Sequence, residues 1–427
     1  MKSMKLGMMI VLLLGLGIEP MAAQFTFSGE FRPRTEFNRG YKALAEEGQQ
    51  PSLFTSQRTR LNLFHQSEHV HTSLVLQDVR LFGSQPQLVG NHDFGVSVHQ
   101  AWAEVFFHKH LSLRVGRQEL VYDNARILGN VDWVQQARTH DLALVRYEGV
   151  FKAHMGLAYH ESGNITNNLY LGPDAYKAMQ FLWLNHRFGN LTGSLLILNN
   201  GVPFNTLDTL GNITDQQIHY SQTIGTHLVL PWKKFRFMGY LYAQTGKAGS
   251  GAEIRDAYNA CFEAGYRLHE RGTLTLGFEY LSGKSELSTS QRISSFTPLY
   301  GTNHAFNGWM DYFYVGNHIN SVGLVNPYLK GVYQHGRFTF TTHIHYFLAA
   351  ADVADPDDPL SAMPRELGTE CDLMVQYSIS PQASIMLGYS RMFGTSTLAA
   401  IRGGDPDATS HWAWCQLIVR PTFFRHP

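Results

Sequence analysis

The stretch Gly272-Thr273-Leu274-Thr275-Leu276-Gly277-Phe278-Glu279-Tyr280-Leu281-Ser282 decides the fold class. Successive side chains of an extended chain point to opposite faces. Leu274, Leu276, Phe278 and Tyr280 therefore share one face, and Thr273, Thr275, Gly277 and Glu279 the other. The segment from Phe338 repeats the pattern: Phe340, Ile344 and Tyr346 oppose Thr339, Thr341, His343 and His345. Such strands suit a sheet with hydrocarbon on one side and water on the other. The closing segment has Trp412 and Trp414 at one end and Phe423 and Phe424 at the other. Aromatics at both ends are what two membrane interfaces require.

Working outward, alternation between turn signals marks about 18 such segments along the chain. Their connections alternate strictly. The even-numbered segments are followed by tight turns such as Gly189–Asn190 and His269–Arg271. The odd-numbered ones are followed by long stretches: Phe37–Leu53, Gly83–Phe94, Val121–His140, Ser162–Ala178, Asn199–Ser221, Gln244–Ala260, Gly283–His318, Ala350–Glu370 and Gly394–Trp412. One rim with tight turns and one with large loops is the pattern of a transmembrane antiparallel β-barrel, short turns periplasmic and long loops extracellular. A soluble sandwich or propeller, the alternative that periodicity leaves open, has no reason to keep that alternation. Strands in hydrocarbon leave no edge unpaired, so first and last must meet. About 18 strands enclose an aqueous channel.

The N-terminus carries Lys2 and Lys5, an apolar run from Leu6 to Ile18, and Ala22-Ala23. That is a secretory signal peptide over residues 1–23, leaving 24–427 as one barrel domain. The expected location is the bacterial outer membrane, with lipid as the surroundings and a monomer favoured over a trimer. Residues 24 onward hold no run of 18 apolar residues, so helical spans are not expected. The whole chain has 34 Lys and Arg against 34 Asp and Glu. Removing Lys2, Lys5 and Glu19 leaves 32 against 33, a net charge of −1. Nucleic acid is therefore not an expected partner, and any electrostatic preference must come from where charges sit. Cys261, Cys371 and Cys415 have neither disulfide nor zinc-site spacing and read as small apolar residues.

Several motifs carry a resemblance. Gly29-Glu30-Phe31-Arg32-Pro33-Arg34-Thr35-Glu36, Gln57-Arg58-Thr59-Arg60-Leu61-Asn62, Leu76-Gln77-Asp78-Val79-Arg80 and Ala101-Trp102-Ala103-Glu104 come first. Gly116-Arg117-Gln118-Glu119-Leu120, Asp123, Arg126, Leu128-Gly129, Asp132-Trp133 and Arg138-Thr139-His140-Asp141 follow. Over this first third, the chain resembles the alginate-export family of outer-membrane porins. The resemblance implies a single 18-stranded barrel whose arginine-lined lumen passes an acidic polysaccharide, although such porins also serve other solutes.

The residues themselves support part of this. Arg58, Arg60 and Asn62 share a face opposite Leu61 and Leu63; Arg32, Arg34 and Glu36 share one in the first strand, and Asp78 and Arg80 in the third. Lipid-facing charge costs about 2–4 kcal/mol at mid-bilayer, which favours the lumen. The expected pore lining is Arg32, Arg34, Arg58, Arg60, Asp78, Arg80, Glu104, Arg117 and Glu119 on the wall. Asp123, Arg126, Asp132 and Arg138 join it from the Val121–His140 loop, and Asp141 from the start of the strand that follows. Arginine rings select anions by charge and bidentate bonding; the same arginines paired with Glu36, Asp78, Glu104 and Glu119 would instead brace the wall. Val121–His140 either folds into the lumen or stays solvated outside. Val115 and Arg117 fall on one side, which a bulge at Gly116 would explain.

His343 and His345 are spaced to share a metal, but no third ligand is evident, and no metal or cofactor is expected. Asp352, Asp355, Asp357 and Asp358 lack the pattern of a calcium loop. No catalytic motif appears, so no catalytic residues are assigned. The sequence reads as a porin giving passive passage to anionic solutes, an acidic polysaccharide such as alginate among them. Its rivals are a structural or adhesive barrel with a closed lumen and a barrel enzyme acting on lipid.

Overall fold

The computed structural model describes residues 23–88, 95–161 and 176–426. The expected leader, residues 1–23, lies outside them apart from Ala23. The strands are β1 (Gln24–Arg39), β2 (Ser52–Gln66), β3 (Val70–Leu81), β4 (Val96–His108), β5 (Leu111–Gln118) and β6 (His140–Glu148). Next come β7 (Lys152–Tyr159), β8 (Ala178–Phe188), β9 (Leu191–Leu207), β10 (Ile213–Trp232), β11 (Phe235–Lys247) and β12 (Glu253–His269). The series ends with β13 (Gly272–Leu281), β14 (Leu324–His335), β15 (Phe338–Leu348), β16 (Glu366–Ser380), β17 (Ala383–Gly394), β18 (Ser410–Val419) and β19 (Thr422–His426).

Each strand pairs antiparallel with its neighbours in sequence, and β1 pairs with β2 on one side and with β18 and β19 on the other. β18 and β19 are one span broken at Pro421, which has no N–H to donate but whose carbonyl accepts from the Gly29 amide at 3.0 Å. The result is a closed barrel of 18 spans. Outward positions are apolar: Phe278 is 47% exposed on β13 while its neighbour along the strand on the opposite face, Glu279, is 2% exposed. Phe340, Ile344 and Tyr346 also face outward, as their alternation demanded.

The tight turns are where the sequence placed them. Two of the long stretches are different. Asn199–Ser221 is not a loop: the β9–β10 ladder continues through it to Thr206↔Asp215. Gln244–Ala260 likewise continues as β11–β12 to Lys247↔Glu253. A span needs only about 9–11 residues, so these 17- and 20-residue strands project beyond the bilayer as a hairpin. Nor is there a bulge at Gly116. The β4–β5 register runs evenly through Ala101↔Arg117, Trp102↔Gly116 and Ala103↔Val115, so Val115 and Arg117 share a side as ordinary alternate residues.

The buried core lies inside the barrel, made by loops. Residues 119–139 and 282–323 enter the lumen and pack on each other: the Gly129 amide donates to the Tyr300 carbonyl at 2.9 Å and Thr302 to Ala125 at 2.9 Å. Leu120, Ile127, Leu128, Phe296, Met310 and Tyr312 are all buried between them and the wall. A short helix, α1 (Ser396–Arg402), caps this plug; Thr395 accepts from the Leu398 amide at its start, and Arg402 donates to the Tyr312 carbonyl at 2.9 Å.

Candidate functional site

The site begins with strand parity. On β1, Glu30, Arg32, Arg34 and Glu36 alternate with residues such as Phe31, which is exposed on the outside. Across the pair, Glu30 opposes Arg60 and Arg32 opposes Arg58, so these two strands present a ladder of charges to the lumen. The loop 119–139 lies on that ladder. Asp132 accepts from Arg58 at 2.7 Å and from Arg32 at 3.4 Å, and Arg60 lies 3.9 Å from it. Arg58, fully buried, also donates to Glu30 at 2.6 Å. Arg32 and Arg34 donate to the carbonyls of Asp132 and Trp133, each at 2.8 Å, and Arg34 reaches Glu36 at 2.8 Å. Arg60 donates to Gln77 at 2.7 Å and lies 3.8 Å from Glu119. The ladder therefore satisfies loop carbonyls that would otherwise be stranded away from water. Burial raises the Asp132 carboxyl pKa, but Arg58 and Arg32 outweigh it and hold it below the usual range.

The far side of the loop is tied as firmly. Arg126 reaches across to β13, 2.8 Å from Glu279, and donates to Asn307 at 3.0 Å. Asp123 accepts from the Trp183 indole at 3.1 Å, and Arg138 donates to the Gly301 carbonyl at 3.0 Å. Below, Glu104 accepts from Ser112 at 2.6 Å, Arg114 at 2.6 Å and Arg146 at 2.8 Å. Arg114 and Arg146 escaped the sequence reading; their alternation with Ser112 and Glu148 on short strands was the available signal.

Of the expected lining, the structure brings Arg32, Arg34, Arg58, Arg60, Glu104, Glu119, Asp123, Arg126, Asp132 and Arg138 inside the barrel. Asp78, Arg80, Arg117 and Asp141 need correction. Asp78 opposes Thr59 and Arg80 opposes Gln57, one residue out of phase with inward Arg58 and Arg60. They pair with each other at 2.6 Å on the outer face, near the end of β3. Arg117 and Asp141 oppose one another outside as well, 2.7 Å apart, at the ends of β5 and β6. All four sit at the long-loop rim, where outward charge costs about 0–1 kcal/mol. A second correction concerns Trp412 and Trp414. They are buried, not girdle residues, and with Trp133, His304, Trp309, Met374 and Met386 they enclose a lumenal cavity of about 180 Å3. Phe423 and Phe424 are exposed and pair with Phe27 and Phe25.

A larger cavity, about 670 Å3, lies at the rim between β3, β4 and the loop, lined by Gln77, His99, Arg138, His140 and Tyr300 among others, and the outward Arg117–Asp141 pair borders it too. With this geometry in place, the architecture can be set beside known proteins. No family model matches the chain, and no curated protein matches it in sequence. Solved structures do. OccAB1 of Acinetobacter baumannii matches at a TM-score of 0.61 and 13% identity, covering 94% of this chain and 97% of that one. What the match shows is the closed antiparallel barrel fold. OccK9 (OpdG) of Pseudomonas aeruginosa matches at 0.61 and 13% identity, over 93% and 98% of the two chains. The outer membrane protein opdK of the same organism matches at 0.57 and 10% identity, over 93% and 99%. What is shared is the 18-span barrel; the alginate-export resemblance stands on its motifs alone.

Proposed function

We propose that this chain is an outer-membrane channel for small anionic solutes. The observation that carries the reading is Arg138 in the rim cavity. Its guanidinium donates to a backbone carbonyl, and among the described residues it has no carboxylate partner. The other inward arginines of the loop and ladder are spent on bracing, as their pairings show. A cavity of about 670 Å3 falls in the range that holds small molecules. The infolded loops argue against threading a polymer such as alginate. The matching fold of the outer membrane protein opdK supports this reading, and the pairing of ladder charges explains how the infolded loop is held.

Liposome swelling tests the reading. Vesicles containing the protein should admit small carboxylates faster than neutral solutes of equal size and should exclude alginate oligomers. Arg138→Gln should reduce the carboxylate preference. Equal rates for carboxylate and neutral solutes in the wild type would refute it.

A further inference from the structure

His343 and His345 lie on the inward face of β15, and the register sets two acids against them. His343 opposes Asp372 and His345 opposes Glu370 across the β15–β16 pair. Directly opposed side chains share a face with their Cβ atoms about 5 Å apart. Here the ligand atoms of His343, His345 and Asp372 all lie within 4.8 Å of one another. The sequence alone gave a pair of histidines; sheet register supplies the third donor.

The hydrogen bonds around the cluster prepare it for a cation. Asn326 donates its amide N–H to the carbonyls of Pro327 at 3.2 Å and Tyr346 at 3.1 Å, which fixes its oxygen toward His345. That oxygen is 3.0 Å from His345 Nδ1, so Nδ1 carries the proton and Nε2 keeps its lone pair. Metal-bound histidines almost always donate their other N–H in this way. His345 Nε2 is buried and has no partner. Asp372 Oδ1 accepts from Ser390 at 2.5 Å while Oδ2 is buried and unpartnered. Glu370 accepts at Oε1 from the amides of Trp309 and Met310, and its carboxyl lies within hydrogen-bond reach of the Asp372 carboxyl. Neither carboxylate has an ion-pair partner among the described residues; the nearby Lys330 is engaged with Glu263 at 3.3 Å. Two facing carboxyls beside two imidazoles in one buried cluster must either share a proton or take up a cation.

We propose that His343, His345 and Asp372 bind one divalent transition-metal ion, with Glu370 Oε2 available as a fourth donor. Two imidazole nitrogens and a carboxylate suit zinc, nickel or cobalt rather than calcium or magnesium, which take oxygen ligands. Ligand distances of about 2.0–2.2 Å require the donors to close to about 3.4 Å apart, a matter of small side-chain rotations. Trp309 packs its ring edge-on to His343 at 4.9 Å and lines the 180 Å3 cavity. Because Glu370 also holds the amides of Trp309 and Met310, the ion would clip the infolded 282–323 loop to the wall. This proposal is independent of the solute that the channel carries.

The test uses tag-free, folded protein in detergent, stripped with a chelator and titrated with cobalt(II), then with zinc(II) as competitor. The expected result is one equivalent of cobalt per chain, with a visible d–d spectrum of nitrogen and oxygen ligation that zinc abolishes. His345→Gln and Asp372→Asn should each weaken binding by about 100-fold or more. Ser390→Ala, which removes only the hydroxyl behind Asp372, should weaken it about 10- to 100-fold. Heat-modifiable migration on gels confirms that each variant is folded. No stoichiometric cobalt uptake by the wild type, or uptake unchanged in the folded His345 and Asp372 variants, would overturn the proposal.

Discussion

Asp132→Asn is the substitution that separates bracing from selection in the charge ladder. Arg32, Arg34, Arg58, Arg60 and Arg420 face Glu30, Glu36, Glu119 and Asp132, five cations against four carboxylates. Asp132 is the exposed member, with 43% of its side chain accessible against none for Arg58. Neutralising it leaves one further positive charge uncompensated beside the infolded loop. A unit charge about 7 Å from a passing ion is worth roughly 0.6 kcal/mol in water and about 2.4 at an effective dielectric near 20. These limits correspond to about a threefold and a fiftyfold gain in anion preference. The same change weakens the charge-assisted bonds from Arg58 and Arg32, each worth about 1.5–3 kcal/mol before allowance for exposure. The loop should then open more often and conductance should rise. Salt-gradient reversal potentials in a planar bilayer read the first effect, and open-channel current the second. A shift toward cations, or no change in either quantity, would refute the reasoning.

Other outcomes follow from the same contacts. Glu279→Gln leaves Arg126 buried without its counter-charge; loss of such a pair costs about 3–5 kcal/mol. Hydrogen exchange of residues 119–139 should quicken markedly in this variant. Asp311, buried in the 282–323 loop beside Tyr41 and His304, has its pKa pushed up by burial to about 6 from 3.8, against the opposing pull of the Tyr41 hydroxyl, Lys42 and Arg34. The docked loop therefore binds a proton that the free loop releases between about pH 4 and pH 6. Docking should be tightest below that window and weaken as pH rises through it, by at most about 3 kcal/mol. Asp311→Asn should remove the part of the pH dependence of loop exchange rates that falls between about pH 4 and pH 6. An epitope tag at the hairpin tip, residues 208–212, should be reached by antibody on intact cells, and one at Pro231–Lys234 should not.

The barrel was legible because side-chain alternation and turn length are local properties, and 18 spans follow from counting them. What lay beyond was set by distant partners. Asp78 and Arg80 alternate as properly as Arg58 and Arg60, and only the pairing Thr59↔Asp78 shows that they face outward. Trp412 and Trp414 sit where a girdle would sit, yet Glu36 and Trp133 draw them inward. The segment 121–140 balanced two fates because its charges gain partners only inside the lumen, on strands more than 70 residues away. Long polar stretches at 199–221 and 244–260 read as loops, but ladder hydrogen bonds to one another keep them extended. Asp372 joined the histidine pair for the same reason: register is written between strands, not within one.

The central claim is that the lumen conducts small anions past an infolded loop braced by the ladder. Single-channel recording of the wild type under a salt gradient, beside a deletion of residues 124–136, tests it most directly. The account predicts small anion-selective currents in the wild type and larger currents of weaker selectivity after the deletion. Folded protein that stays silent in both forms, or a wild-type reversal potential on the cation side, would contradict it.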